Sequence, residues 1–208
     1  MISPQVALKK LVDGNERFAS GNSIHPNRYE ETKNTLIKEQ KPFVAVLSCS
    51  DSRVPVEIIF DAGLGDVFAV RTAGHVLSKE VIGSLEYAVK SLGVKLVVIL
   101  GHENCGAIGT AIQTYQNKSY DELSENLQSI MNHIYPAIEK VECDNDDFLN
   151  SSVKSNIYYQ LEDLISKDAY IKAQIEIGKL AVVAAMYSLA TGRVQILKTL
   201  KMENTECV

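Results

Sequence analysis

The chain has no tryptophan, and its 21 Lys and Arg are outnumbered by 26 Asp and Glu, for a formal charge of −5. That balance leaves no basic stripe able to track a phosphate backbone, so no nucleic-acid partner is expected. Long apolar runs are missing too. Stretches such as "LVVIL" and "LAVVAAMYSLA" fall well short of the roughly 20 residues that cross a bilayer. The first thirty residues carry acids and a helical pattern, with no apolar segment followed by a small-residue cleavage site. A soluble, cytoplasmic protein without a membrane partner is the expectation. Four cysteines, at positions 49, 105, 143 and 207, are too sparse and uneven for a disulfide framework, so reduced thiols are expected. No repeat, low-complexity tract or linker interrupts the 208 residues. One domain over 1–208 is therefore expected, with 1–40 as an N-terminal helical arm.

What is present reads as α/β. Ser3-Pro4 is a helix start, and Val6, Leu8, Leu11 and Phe18 form its apolar face, predicting a first helix of about four turns. A charged helix is predicted near 29–39, after a polar breaker containing Pro26. Then "FVAVLS" (43–48), "DVFAVR" (66–71) and "KLVVIL" (95–100) look like strands buried on both faces of a parallel sheet. The segment "SKEVIGSLEYAVKSLG" between the last two predicts a helix capped by Ser78 and stopped by Gly93. Further helices are predicted for "CGAIGTAI", near 121–141 and near 151–166, with "ECDNDD" as an acidic loop. The stretch "KLAVVAAMYSLATGRVQIL" predicts two strands joined at Thr191-Gly192, the second antiparallel at an edge. The expected fold is a mostly parallel central sheet, about four parallel strands plus an antiparallel edge strand, flanked by helices.

Ligands in such sheets bind beyond the carboxyl ends of strands, where neighbouring connections diverge. Cys49 closes the first strand and heads "CSDSR"; His102 closes the third and heads "HENC". If those strands are neighbours, Cys49, Asp51, His102 and Cys105 converge as a zinc ligand set, soft sulfur selecting zinc over magnesium or calcium. Cys105 also opens a helix whose N-terminus favours a thiolate. Gly106 would let backbone approach whatever the metal holds. Arg53 has no structural need to stand there; it could hold the Asp51 carboxylate off the metal and leave the fourth position to water. Asp51 thus has two readings, closing the site as fourth ligand or, when paired to Arg53, accepting a hydrogen bond from the zinc-bound hydroxide and orienting its lone pair at a substrate. A closed, purely structural zinc site is the alternative, against which Arg53 argues.

These residues resemble the β-class carbonic anhydrases: "SCSDSRVP", "GDVFAVRTAG", "GSLEYAVKSLGV" and "LGHENCGA" follow that family in order and spacing from about residue 40 to 111. "LVDGNERF" and "YSLATGRVQIL" are similar more faintly. The resemblance implies Zn2+ on Cys49, His102 and Cys105, an Asp51–Arg53 dyad, and a lyase that reversibly hydrates carbon dioxide to bicarbonate and a proton through zinc-bound hydroxide. It further implies Gln40 as a pocket amide for carbon dioxide or bicarbonate, and Phe68 and Tyr87 as aromatic pocket walls. It also implies a homodimer or homotetramer with the active site between subunits. Where the family commonly has Asn, this chain has Thr72 and His75, and His75 is expected to be hydrogen-bonded scaffolding rather than a proton shuttle. One subtype uses a Trp three residues before the first Cys ligand for a second bicarbonate site; Val46 stands there, so no such regulation is expected. Hydrolysis of carbonyl sulfide or carbon disulfide on the same zinc is the alternative activity. Cys143 and Cys207 are expected to have no catalytic part.

Overall fold

The computed structural model describes residues 2–27, 34, 36–142 and 147–200. Most of the helix predicted near 29–39, and both Cys143 and Cys207, lie outside the described residues. The chain enters through α1 (Pro4–Ala19), with Ser3 accepting the Val6 N–H and Pro4 at the first helical position. It continues through β1 (Val44–Cys49), a short α2 (Val56–Ile59), β2 (Val67–Thr72), a 3-10 turn at Ala73–His75, α3 (Lys79–Lys90) and β3 (Leu96–His102). Then come α4 (Gly106–Gln116), a 3-10 turn at Tyr120–Glu122, α5 (Glu125–Ile138), α6 (Phe148–Lys167), α7 (Ala169–Glu176), β4 (Ala181–Tyr187) and β5 (Val194–Leu200).

The sheet order is β2-β1-β3-β4-β5; β1 pairs parallel with β2 and β3, β3 parallel with β4, and β5 antiparallel with β4. Four parallel strands and an antiparallel edge match the expectation. Helices cover both faces, which is why β1, β3 and β4 are buried at every position. On one face Ala45, Leu47, Val97 and Ile99 pack beneath α3 to α7; on the other Val46, Val98 and Leu100 pack with Ala7 and Leu11 of α1 and Val56 and Ile59 of α2. Burying one such Leu or Ile contributes about 1.5–3 kcal/mol. The β2 run departs from the expected two-sided burial. It forms the other edge of the sheet, and its residues alternate between half-buried and exposed.

In α3, Val81, Leu85, Ala88 and Val89 repeat at helical spacing on the buried side, and Ser78 caps the start by accepting the Val81 N–H. The helix predicted over 121–141 is in fact a 3-10 turn and then α5, because the chain breaks at Leu123 and restarts with Ser124 at the N-cap. α6 begins three residues before its expected start, capped by Asp147 accepting the Asn150 N–H. Asp168 ends α6 and caps α7, a helix the sequence reading lacked. No helix among the described residues is long and apolar enough to cross a membrane.

Strand order settles where chemistry can sit. From β1 the chain passes to β2 on one side through α2 on one face, then returns through α3 on the other face to β3 on β1's far side. The carboxyl ends of β1 and β3 are therefore the point of divergence, and a crevice opens there.

Candidate metal centre

Register brings Cys49, at the end of β1, beside the end of β3. Ser48 pairs with Leu100, two residues before His102. Beyond Cys49 the Asp51 N–H turns back onto its sulfur at 3.4 Å, and the Val54 N–H closes a turn on Asp51 O at 3.0 Å. Beyond His102, Asn104 takes a left-handed φ of 52°, and Cys105 becomes the N-cap of α4. The two sulfurs are 3.9 Å apart. Ligand atoms of Cys49, His102 and Cys105 all lie within 4.8 Å of one another, and all three residues are buried.

His102 shows what this cluster suits. Its Nδ1 donates to Glu103 O at 2.9 Å, which leaves Nε2 as the acceptor. That Nε2 is buried with no hydrogen-bond partner among the described residues. A carbonyl-fixed imidazole presenting its other nitrogen to two sulfurs is a donor set that could hold a metal ion. The thiols are already polarised. The hydrogen bond from Cys105 holds Cys49 well below the usual thiol range, helped by the Asp51 and Gly74 N–H groups. The same bond, with burial, pushes Cys105 up. A divalent cation would replace the shared proton and keep both sulfurs as thiolates.

Asp51 and Arg53 stand at the rim as a forked pair: Arg53 Nε reaches Oδ1 at 3.0 Å and Nη2 reaches Oδ2 at 2.7 Å, while the Arg53 N–H adds 2.9 Å to Oδ1. The guanidinium also bonds Asn104 O at 3.3 Å, tying the β1 turn to the β3 turn. This pairing holds the Asp51 carboxyl down at about 2. Its Oδ2 lies 3.8 Å from His102 Nε2, at the edge of the ligand cluster.

Gly106 opens α4 directly after Cys105, and a Cβ there would meet nothing within 4 Å. The remaining pocket residues lie elsewhere in this chain. Phe68 pairs with Ala45, four residues before the Cys49–Thr72 pair, which is about 13 Å along the strand. Its ring packs on Tyr87 of α3 at 6.2 Å between centroids. Gln40 precedes β1 and lines, with Tyr87, Pro42, Phe43 and Lys95, a cavity of about 1100 Å³ at the amino ends of the strands. The chain thus brings Cys49, Asp51, Arg53, His102, Cys105 and Gly106 together and sets Gln40, Phe68 and Tyr87 at the opposite end of the sheet.

Two contributors escaped the sequence reading. Arg71 donates to Cys49 O at 3.1 Å and to Asp51 O at 2.7 Å, bracing the ligand loop from β2. The Gly74 N–H donates to Cys49 Sγ at 3.4 Å. Both need the β1–β2 register, which motif spacing does not contain. Thr72 turns its hydroxyl onto Val76 O at 3.0 Å, within the turn that carries Gly74.

Comparison with known proteins agrees with this geometry. The carbonic anhydrase family profile matches residues 44–194. A carbonic anhydrase of Mycolicibacterium smegmatis is 37% identical over 197 residues, 93% of each chain. Among solved structures, the β-carbonic anhydrase CafA of Aspergillus fumigatus superimposes with a TM-score of 0.69 at 26% identity, covering 93% of this chain and 90% of that one. Tetrameric β-carbonic anhydrases of Sordaria macrospora share the fold, with a TM-score of 0.70 at 20% identity over 94% of this chain and 100% of theirs.

Proposed function

The chain belongs to the β-class carbonic anhydrases, and from that membership we propose that it hydrates carbon dioxide reversibly at a zinc ion held by Cys49, His102 and Cys105. The observation that carries the assignment is the buried, partnerless His102 Nε2 facing two sulfurs within 4.8 Å. Zinc in that set would act as a Lewis acid and bring the pKa of water in an open fourth position to about 7.

The protein's own groups then have separable tasks. Arg53 keeps the Asp51 carboxylate at the rim, where it would not block substrate water from a bound metal ion. Asp51 Oδ2, ionised and acceptor-only, would accept a hydrogen bond from substrate water and so orient that water toward carbon dioxide. Gly106 leaves backbone open beside Cys105, so a small substrate can come close. Leu47, Ile99 and Ile108 form the apolar ground behind the ligands and keep bulk water from that side.

Gln40, Phe68 and Tyr87 we assign to the carbon dioxide and bicarbonate pocket of a neighbouring copy, in a homodimer or a tetramer built from dimers. Their separation from Cys49 within one chain, and the half-exposed Tyr87 ring, support a site shared between subunits. The deciding experiment is stopped-flow carbon dioxide hydration on protein of assayed zinc content. Turnover that vanishes on chelation and returns with Zn2+ is expected; full zinc occupancy without turnover at alkaline pH would reject the reading.

A further inference from the structure

Two consecutive residues in the turn after β2 hold left-handed backbone, Gly74 at φ 68° and His75 at φ 48°. For a histidine such a conformation persists only where its surroundings over-determine it. The turn lies against the metal centre, since the Gly74 N–H donates to Cys49 Sγ at 3.4 Å.

What holds the turn is on α6. Asn156 Nδ2 donates to Gly74 O at 3.0 Å and stands 3.0 Å from His75 Nε2. One helical turn on, Gln160 Oε1 accepts the Leu77 N–H at 2.9 Å, while its Nε2 donates to Asn156 Oδ1 at 3.0 Å and His133 O at 2.9 Å. His75, Asn156 and Gln160 are fully buried, and the two amides lie on a helix whose other inward residues include Val153, Ile157 and Leu161. The bond directions follow one from another. The Leu77 N–H can only donate, so Gln160 faces it with oxygen and turns its nitrogen to Asn156. Asn156 therefore meets Gln160 with oxygen and keeps its nitrogen for Gly74 O and His75. His75 must accept through Nε2 and carry its proton on Nδ1, a neutral ring fixed by the helix.

We propose that Asn156 and Gln160 are positioning residues for the metal centre: they clamp residues 74–77 so that the Gly74 N–H is delivered to the Cys49 sulfur. The proposal rests on the reading of Cys49 as a metal ligand. An N–H bond to a ligating thiolate orients it and tunes its donor strength, as outer partners of metal ligands generally do. A helix that only had to fill space here would use leucine; two amides with every bond satisfied instead specify one turn geometry.

Zinc affinity by competition with a chromophoric chelator, and the absorption spectrum of the Co2+ form, test this without reference to turnover. Wild-type protein that binds no zinc would reject the metal reading itself and the proposal with it. Given a zinc-binding wild type, Asn156→Leu should weaken zinc about 10- to 100-fold and shift the thiolate-to-cobalt charge-transfer band. Leu164→Ala, a cavity variant on the same helix away from the turn, should lower the melting temperature and change neither. Affinity within twofold of wild type together with an unchanged cobalt spectrum in Asn156→Leu would overturn the proposal. If that variant does not fold, Gln160→Met decides, since it removes the Leu77 and Asn156 bonds and keeps side-chain length; wild-type affinity there overturns the proposal equally.

Discussion

Removing the Arg53 side chain separates the charge of Asp51 from its position. The guanidinium supplies two of the three contacts that hold the carboxylate, at 3.0 and 2.7 Å, and in Arg53→Ala only the backbone N–H at 2.9 Å remains. With its pKa held at about 2, mainly by Arg53, Asp51 is protonated in only about one molecule in 10⁴ at pH 6. Without Arg53 the pKa relaxes toward its ordinary value near 3.9, and the protonated fraction at pH 6 is still under about one in a hundred. A depressed carboxyl pKa means the paired state is complete above about 3.9 and is lost as pH falls toward 2. Above pH 6 the variant therefore loses position alone. The freed carboxylate, already 3.8 Å from His102 Nε2, is drawn into the ligand cluster. We expect kcat/KM for carbon dioxide hydration to fall about 10- to 100-fold at every pH from 6 to 9, with zinc content and the shape of the profile retained. An unchanged kcat/KM, or a new inflection between pH 6 and 8, would refute this account of the pair.

Three further outcomes follow from named contacts. Asp61, buried, accepts from Arg17 Nε at 2.6 Å and from the Ile24 and His25 N–H groups at 3.0 and 2.9 Å. Burial alone would raise its pKa, but these donors lower it overall, so Asp61→Asn should cost about 2–3 kcal/mol at pH 7, allowing for the part-exposed Arg17. In urea titrations that gap should shrink as pH drops below about 4; a gap constant down to pH 2 contradicts the sign. Gly101→Ala would place a Cβ 2.6 Å from Ile157 Cδ1 and 3.2 Å from His75 Cε1. An overpacking cost of about 1–3 kcal/mol, or about 2–4 °C per kcal/mol, should appear in a thermal melt, and an unaltered Tm would show the space is there. Tyr87→Ala should keep its zinc and lose turnover, and mixing it with inactive Cys105→Ser chains should restore activity on subunit exchange. Absence of any recovery would count against a site shared between copies.

The cysteine and histidine cluster was legible in the sequence because strand ends are: an apolar run that stops at "CSDSR" and another that stops at "HENC" need only be neighbours for Cys49, His102 and Cys105 to meet. Edge position was not legible. Val67–Thr72 is as β-branched as β1, and only the strand order shows that it has one neighbour. Helix joints failed for a different reason. Asp168 both ends α6 and caps α7, so no Gly or Pro marks the break between Lys167 and Ala169. Arg71, Gly74 and Asn156 were invisible as site residues for a third reason. Their partners are 22, 25 and 82 residues away in the chain, and each contact exists only through packing that periodicity does not encode.

The position of the two sulfurs has a mechanical consequence. Cys49 and Cys105 are 56 residues apart, and everything between them, the edge strand β2 and the helix α3 included, forms one loop whose ends meet at the candidate metal. A bond between those ends, through an ion as through a disulfide, would remove about 4 kcal/mol of chain entropy from the unfolded state. Stripping the ion would then loosen this loop in preference to the rest of the sheet. Amide exchange should quicken across β2 and α3 while β4, clasped between β3 and β5, keeps its protection.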